Sequence, residues 1–231
     1  PKGESSLIKA ESLYDFAIKN DPFYSWAYAG RGWLYHKQKK SEEALASFNE
    51  GIKNNSSKPR PYYYLATYYK NGLKNEEKAI EYYLKTLEKD AYFLPAYQDL
   101  INLYNRNKEY DKSLAIIENI LQWNSDAPDI YNYLGKTYFV MKDYEKAIEA
   151  FENSIKTDST YAKGYTNLAY SLMKTKQYKK ATEAYKSASL FNPYKNKKEN
   201  YAKLMIAEAK KQHKLGNTNE AELLLEQAKF L

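Results

Sequence analysis

Two histidines, His36 and His213, are the side chains best suited to acid–base or metal chemistry at neutral pH, and they lie near opposite ends of the chain. The chain contains no cysteine, which excludes thiol nucleophiles, disulfides and cysteine metal sites. The stretch from Gly72 to Lys78 lacks the second glycine and the Gly-Lys-Ser/Thr end of a phosphate-binding loop. Paired carboxylates such as Glu42–Glu43 stand where helices are predicted to begin, and there they stabilise the positive end of the helix dipole. The sequence therefore predicts no catalytic, metal or cofactor site and no enzymatic activity.

A sequence pattern recurs along the chain with a period of 34 residues. One copy sets large and small residues at fixed offsets, in Tyr131, Leu134, Gly135, Tyr138, Ala147 and Phe151. One period later the same offsets hold Tyr165, Leu168, Ala169, Leu172, Ala181 and Tyr185. Apolar residues in each copy recur at three- and four-residue steps on both sides of a short break, which predicts two amphipathic helices of about 14 residues. Such a period indicates stacked helical hairpins, and hence an all-α chain.

The pattern resembles that of the tetratricopeptide repeat (TPR) family, whose motif places Trp, Leu, Gly, Tyr, Ala, Phe, Ala and Pro at fixed positions of a 34-residue unit. One copy fills these positions with Tyr165, Leu168, Ala169, Leu172, Ala181, Tyr185, Ala188 and Pro193. The resemblance implies one α-solenoid over residues 1–231, a right-handed superhelix of antiparallel helix pairs, with an extra residue in the turn near Gly72. Its predicted parts are a half repeat at 5–24, repeats at 25–58, 59–93, 94–127, 128–161 and 162–195, and a divergent repeat at 196–231.

Both ends of the predicted array carry apolar residues that lack a predicted neighbour. Residues 5–21 match only the second helix of a repeat, and the last helix has no polar cap after it. Repeat arrays need polar terminal caps to stay soluble. Either the chain was cut at these ends, or the ends dock onto more chain, a partner or another copy. The residues concerned are Leu7, Leu13, Phe16, Leu224 and Phe230.

The composition favours a soluble protein and disfavours nucleic acid as a partner. The chain has 231 residues, a net charge of +7 and no apolar run near the ~18 residues that span a bilayer. Only Arg31, Arg60 and Arg106 of its 36 basic residues are arginine, whereas nucleic-acid surfaces are expected to cluster arginine with lysine. No signal peptide is visible and the first residue is not methionine, so we expect a mature form or a piece of a longer chain. The expected compartment is the cytoplasm or, if a signal segment was removed, the periplasm or the exterior.

The resemblance also implies where a partner binds, because in TPR proteins the first helix of each pair lines a concave groove. The groove positions of all six predicted full-length units hold ten basic residues and one acid, Asp129, a net charge of +9 against +7 for the whole chain. A surface of one sign attracts ligands of the opposite sign. Trp26 and Trp33 lie two turns apart on one helix, where they either anchor a partner or pack on the preceding helix. The predicted binding residues are Trp26, Trp33, Tyr63, Lys70, Gln98, Asn102, Asn105, Arg106, Asn132, Lys136, Phe139, Lys163 and Tyr170.

Three functions follow from these patterns. The leading one is a non-enzymatic scaffold or adaptor that holds an acidic peptide segment or partner protein in the groove. The second is a targeting or regulatory arm of a larger enzyme or assembly, which the sequence of the full gene would reveal. The third is nucleic-acid binding through the basic groove, which affinity for a generic duplex with a steep salt dependence would favour.

Overall fold

The computed structural model describes residues 2–192 and 198–231, and the side chains of residues 7–192 and 199–231. Within these ranges the chain forms thirteen α-helices and no β-strand, which confirms the all-α prediction. The predicted motif residue Pro193 and the predicted boundary between residues 195 and 196 lie outside the described residues. The helices are α1 (Lys2–Asn20), α2 (Ser25–Lys37), α3 (Ser41–Asn54), α4 (Pro59–Asn71), α5 (Glu76–Lys89), α6 (Leu94–Arg106), α7 (Tyr110–Trp123), α8 (Pro128–Met141), α9 (Tyr144–Thr157), α10 (Ala162–Lys174), α11 (Tyr178–Phe191), α12 (Lys198–Lys214) and α13 (Thr218–Ala228).

In two of the helical hairpins a glycine on the first helix packs against an aromatic ring on the second. A Cβ atom built on Gly135 of α8 would lie 2.5 Å from the ring of Phe151 on α9, and one on Gly32 of α2 would lie 2.6 Å from the ring of Phe48 on α3. Ala147 of α9 is also fully buried and belongs to the same core cluster as Phe151. These positions confirm that the recurring small residues permit close packing of paired helices.

The turn inside each hairpin uses a residue in the left-handed backbone region. Five of these residues are lysines with φ between 55° and 68°, and the last turn uses Gly216 with φ of 81°. In the α8–α9 turn, the N–H of Asp143 bonds the carbonyl of Tyr138 at 3.0 Å, and Lys142 between them has φ of 68°. This is the Schellman arrangement, which normally favours glycine because glycine has no Cβ penalty there. The five lysines are Lys39, Lys74, Lys108, Lys142 and Lys176.

The chain divides into two compact units, residues 1–103 and 104–231, with the division inside α6. In the first unit α2 packs on α3, α4 packs on α5, and the two first helices α2 and α4 also contact each other. In the second unit α8, α10 and α12 pack on α9, α11 and α13 respectively, and α8 contacts α10. The single solenoid, its boundaries and its right-handed winding stay predictions. No helix in the described part is long and apolar enough to cross a membrane.

The terminal residues differ in how far they are exposed. Leu13 is 60% exposed, Phe16 66% and Phe230 57%, as predicted for ends without a covering neighbour. Leu7 is half-buried. The prediction was wrong for Leu224, which is fully buried because α13 packs on α12 and α11. The exposed apolar residues of α13 are instead Leu223 and Leu225.

Candidate functional site

The two predicted tryptophans of the first unit have different surroundings. Trp26 is 52% exposed and lies 5.8 Å, between ring centroids, from Tyr14 of α1. Trp33 is half-buried, with its ring edge-on to Tyr68 of the next repeat at 5.3 Å and to Phe48 at 6.1 Å. Both rings line an open cleft of about 520 Å³ that α1, α2 and α4 enclose. Trp26 is thus available to a ligand, whereas Trp33 also serves to pack neighbouring repeats together.

Lys70 and Tyr63 of α4 both bind the carboxylate of Asp99 on α6. The ammonium of Lys70 lies 2.5 Å from Asp99 Oδ1, and the hydroxyl of Tyr63 donates to Asp99 Oδ2 at 3.0 Å. Burial, and next the negative charge of Asp99, raise the pKa of Tyr63 to about 12. The side chains of Lys70 and Asp99 are both mostly buried. The positive charge of Lys70 is therefore neutralised inside the unit.

The amides and the arginine predicted on α6 fall on both sides of the division between the units. Gln98 is half-buried and Asn102 exposed in the first unit, while Arg106 is exposed in the second. Asn105 of the second unit donates from Nδ2 to the Thr137 hydroxyl of α8 at 2.9 Å. Its Oδ1 is buried and accepts no hydrogen bond from protein.

Asn132 on α8 is buried and bonded to the first helix of the next repeat. The Nδ2 group of Asn167 on α10 donates to Asn132 Oδ1 at 2.7 Å. The pair joins two adjacent first helices, so Asn132 holds neighbouring repeats in register. Asn132, a predicted binding residue, thus uses its amide oxygen in a contact between repeats.

Lys136, Phe139 and Tyr170 meet at one cavity of about 220 Å³ between α8 and α10, which we call the α8–α10 cavity. Val140, Phe151 and Asn167 complete its lining. The sequence prediction placed the first three residues among the binding residues of one groove and Val140 at a groove position of the same repeat, but it gave no binding role to Phe151 or Asn167.

Lys136 is the cation at the rim of this cavity. Its side chain reaches solvent, yet the surrounding groove withdraws water from the ammonium and, with the like charge of Lys163, lowers the pKa of Lys136. No carboxylate among the described residues forms an ion pair with it. Lys163, by contrast, lies 3.8 Å from Asp129, whose carboxylate also accepts a hydrogen bond from the Tyr161 hydroxyl.

The two histidines do not form a chemical site in the described parts of the chain. In the first unit the His36 ring lies edge-on to Trp33 at 5.7 Å and to Tyr68 at 5.5 Å, while His213 is exposed on α12 of the second unit. Within the described ranges, no three His, Asp or Glu side chains converge as metal ligands.

Sequence reasoning missed the sixth residue of each repeat as part of the same face. Asp99 and Asn167 occupy this place and bind Lys70 and Asn132, while Gly30 and Tyr64 line the cleft beside Trp26. Gly30, Asp99 and Asn167 each precede a predicted binding residue by three positions, namely Trp33, Asn102 and Tyr170, so helical spacing alone could have found this place.

Profiles of the tetratricopeptide repeat match residues 13–46, 128–161 and 162–194. The chain carries tetratricopeptide repeats. The match at 128–161 coincides with the predicted repeat and contains both α8 and α9. TPR hairpins therefore provide both first helices, α8 and α10, that line the α8–α10 cavity. No curated relative matches this sequence.

Several solved structures are similar to this chain. The C-terminal part of a TPR repeat-containing protein from Cytophaga hutchinsonii has a TM-score of 0.67 at 14% identity, over 98% of this chain and 89% of that one. MamA from Desulfovibrio magneticus RS-1 has a TM-score of 0.57 at 20% identity, over 73% and 95%. YrrB, described as a TPR protein with an unusual peptide-binding site, has a TM-score of 0.51 at 17% identity, over 78% and 93%. At these identities the likeness shows the fold.

Proposed function

We propose that this TPR chain is a non-enzymatic scaffold or adaptor, and that the first helices of its repeats bind an acidic peptide segment or an acidic surface of a partner protein. Stacked helical hairpins give extended surfaces suited to holding another chain. The peptide-binding site ascribed to YrrB supports the same use of the fold.

The observation that carries this proposal is the state of Lys136. The side chain is a lysine with no carboxylate partner among the described residues, beside an apolar cavity, and crowding by the groove lowers its pKa. A cation in such surroundings gains stabilisation when an anion replaces the water that it has lost. Lys70 binds Asp99, which was not among the groove positions counted, so the net charge of this face is smaller than the +9 that the sequence indicates. Lys163 lies beside Asp129, which that count already included.

The test is affinity capture with the chain as bait, comparing the wild type with the double variant Arg106→Glu and Lys136→Glu. Both residues lie in the second unit, on first helices and outside the apolar core. The matched control is Lys156→Glu with Lys180→Glu, which makes the same change in charge on second helices of that unit. We expect the first pair to lose the captured partners and the control to retain them, because close charge pairs contribute to association. Equal capture by all three proteins, with helicity preserved, would contradict the proposal.

A further inference from the structure

The α8–α10 cavity has the size of a single side chain. Its volume is about 220 Å³, below the roughly 300–1,000 Å³ of pockets that enclose a whole small-molecule ligand. Its walls are mostly apolar, with Phe139 and Val140 on one side and Tyr170 on the other. Val140 remains 46% exposed at the cavity, and Tyr170 is held edge-on against Tyr185 at 5.8 Å. The cavity is therefore open to a chain lying in the groove and has at least one fixed wall.

The polar groups at the cavity complement a peptide that carries a carboxylate. Lys136 provides the cation of the lining, and Lys163, which lies beside Asp129, is near enough to act on its charge. Asn167 uses an N–H group to bind Asn132, which fixes its amide and directs its oxygen away from Asn132. That oxygen is an acceptor for a backbone N–H. The groove thus offers a cation and an amide acceptor next to an apolar cavity.

We propose that the α8–α10 cavity receives one large apolar side chain of the bound segment, and that a carboxylate on an adjacent residue of that segment pairs with Lys136. The recognised element is then an aromatic or leucine residue next to Asp or Glu, rather than negative charge alone. This inference rests on the proposed function, because it specifies the partner of the same surface.

A second cavity nearby differs from the α8–α10 cavity in the charge of its lining. It has a volume of about 130 Å³ and lies on the other side of Tyr170, between α10 and α12. Its lining includes both Lys174 and Glu208, so it presents charges of both signs. The α8–α10 cavity has Lys136 and, among the residues that the structure describes, no acidic residue in its lining. Charge complementarity therefore favours a carboxylate at the first cavity and gives no such preference at the second.

The experiment uses fluorescently labelled acidic peptides and fluorescence anisotropy with the full chain. The parent peptide alternates Glu and Ser and contains one central Phe next to a Glu. One variant replaces the Phe by Ala, and a second replaces the adjacent Glu by Gln. We expect the Ala peptide to bind roughly thirtyfold more weakly, since it leaves the cavity unfilled. We expect the Gln peptide to bind about fivefold more weakly, because a partly solvated ion pair is lost.

Variants of the protein test whether these decreases in affinity arise at the α8–α10 cavity and at Lys136. Val140→Asp should abolish the preference for Phe over Ala, because it places a charge at the mouth of the cavity. The matched control is Leu190→Asp, since Leu190 is 73% exposed on α11 and does not line the cavity. Lys136→Gln should remove the preference for Glu over Gln while leaving the preference for Phe. Lys136→Gln keeps the test valid if Val140→Asp fails to fold, as judged by circular dichroism.

The outcomes separate this inference from the proposed function. If acidic peptides bind but Phe and Ala peptides bind equally, the inference is overturned and the proposed function stands. If Val140→Asp still prefers the Phe peptide to the Ala peptide and Lys136→Gln still prefers the Glu peptide to the Gln peptide, the recognised element binds elsewhere and the inference is also overturned. If none of the acidic peptides binds the wild-type chain, the proposed function fails together with the inference.

Discussion

Some charged and phenolic side chains on the first helices bind acidic neighbours in their own unit. Tyr63 and Lys70 share the Asp99 carboxylate, and burial combines with that carboxylate to raise the pKa of Tyr63 to about 12. Burial likewise raises the pKa values of Tyr83, Tyr161, Tyr178 and Tyr185 above that of a free tyrosine. The folded chain therefore depends on several phenols staying protonated.

Alkaline pH should destabilise the chain through these tyrosines. A free tyrosine titrates near pH 10, so the neutral Tyr63 contributes its full stability below about pH 10 and loses it as the pH rises toward 12. The urea midpoint should be lower near pH 11 than near pH 9. This decrease should be smaller in Tyr63→Phe than in the wild type. Tyr24→Phe, at an exposed position, is the control and should behave as the wild type. An equal fall in Tyr63→Phe and the wild type would contradict this cause.

The close approach of α8 and α9 should not tolerate a larger residue at position 147. Ala147 is fully buried on α9, one helical turn before Phe151, whose ring packs against Gly135. Ala147→Leu should therefore overpack the hairpin and lower the free energy of unfolding by about 1–3 kcal/mol. Glu149→Leu, at an exposed position of the same helix, should change it by less than about 0.5 kcal/mol. Urea unfolding of both variants is the measurement, and similar midpoints would show that Ala147 is not at the close approach.

At the scale of the elements, the left-handed lysines in the hairpin turns are an unusual local choice. A residue with a Cβ costs roughly 1–2 kcal/mol in this conformation, and glycine avoids that cost while adding entropy to the unfolded chain. Lys142→Gly should therefore stabilise the chain by about 0.5–1 kcal/mol. Lys203→Gly in the interior of α12 should instead destabilise it by about 1 kcal/mol. Destabilisation by both substitutions in thermal or urea unfolding would show that the Lys142 side chain makes stabilising contacts.

Helical spacing was sufficient to predict the elements but not the polar contacts between them. The period located the hairpins, and the turn from Gly72 to Asn75, between α4 and α5, contains the predicted extra residue. The left-handed lysines could not be predicted, because these five turn positions do not hold the glycine or asparagine that usually marks that conformation. The Asn132–Asn167 bond joins side chains about one repeat apart, so its geometry depends on how adjacent helices pack. Counting charges likewise overlooked the pairing of Lys70 with Asp99.

At the scale of the whole molecule, the exposed apolar residues near the termini predict self-association. Leu13 and Phe16 on α1, and Phe230 after α13, are each more than half exposed. Sedimentation velocity at several concentrations should show a mass that rises with concentration. Leu13→Glu with Phe16→Glu should reduce that rise, because it places charge on the apolar face. A monomer at every concentration would contradict the prediction.

The most direct test of the account is the chemical reactivity of individual lysines with and without the captured partner. Acylation at mildly alkaline pH modifies the neutral amine, so the lowered pKa of Lys136 should make it more reactive than Lys156 or Lys180 in the free chain. Quantitative mass spectrometry should then show that partner binding protects Lys136 and leaves Lys156 and Lys180, on second helices, unchanged. Binding along the first helices would be contradicted if Lys136 kept its reactivity in a partner-saturated sample and only lysines of the second helices or the termini were protected.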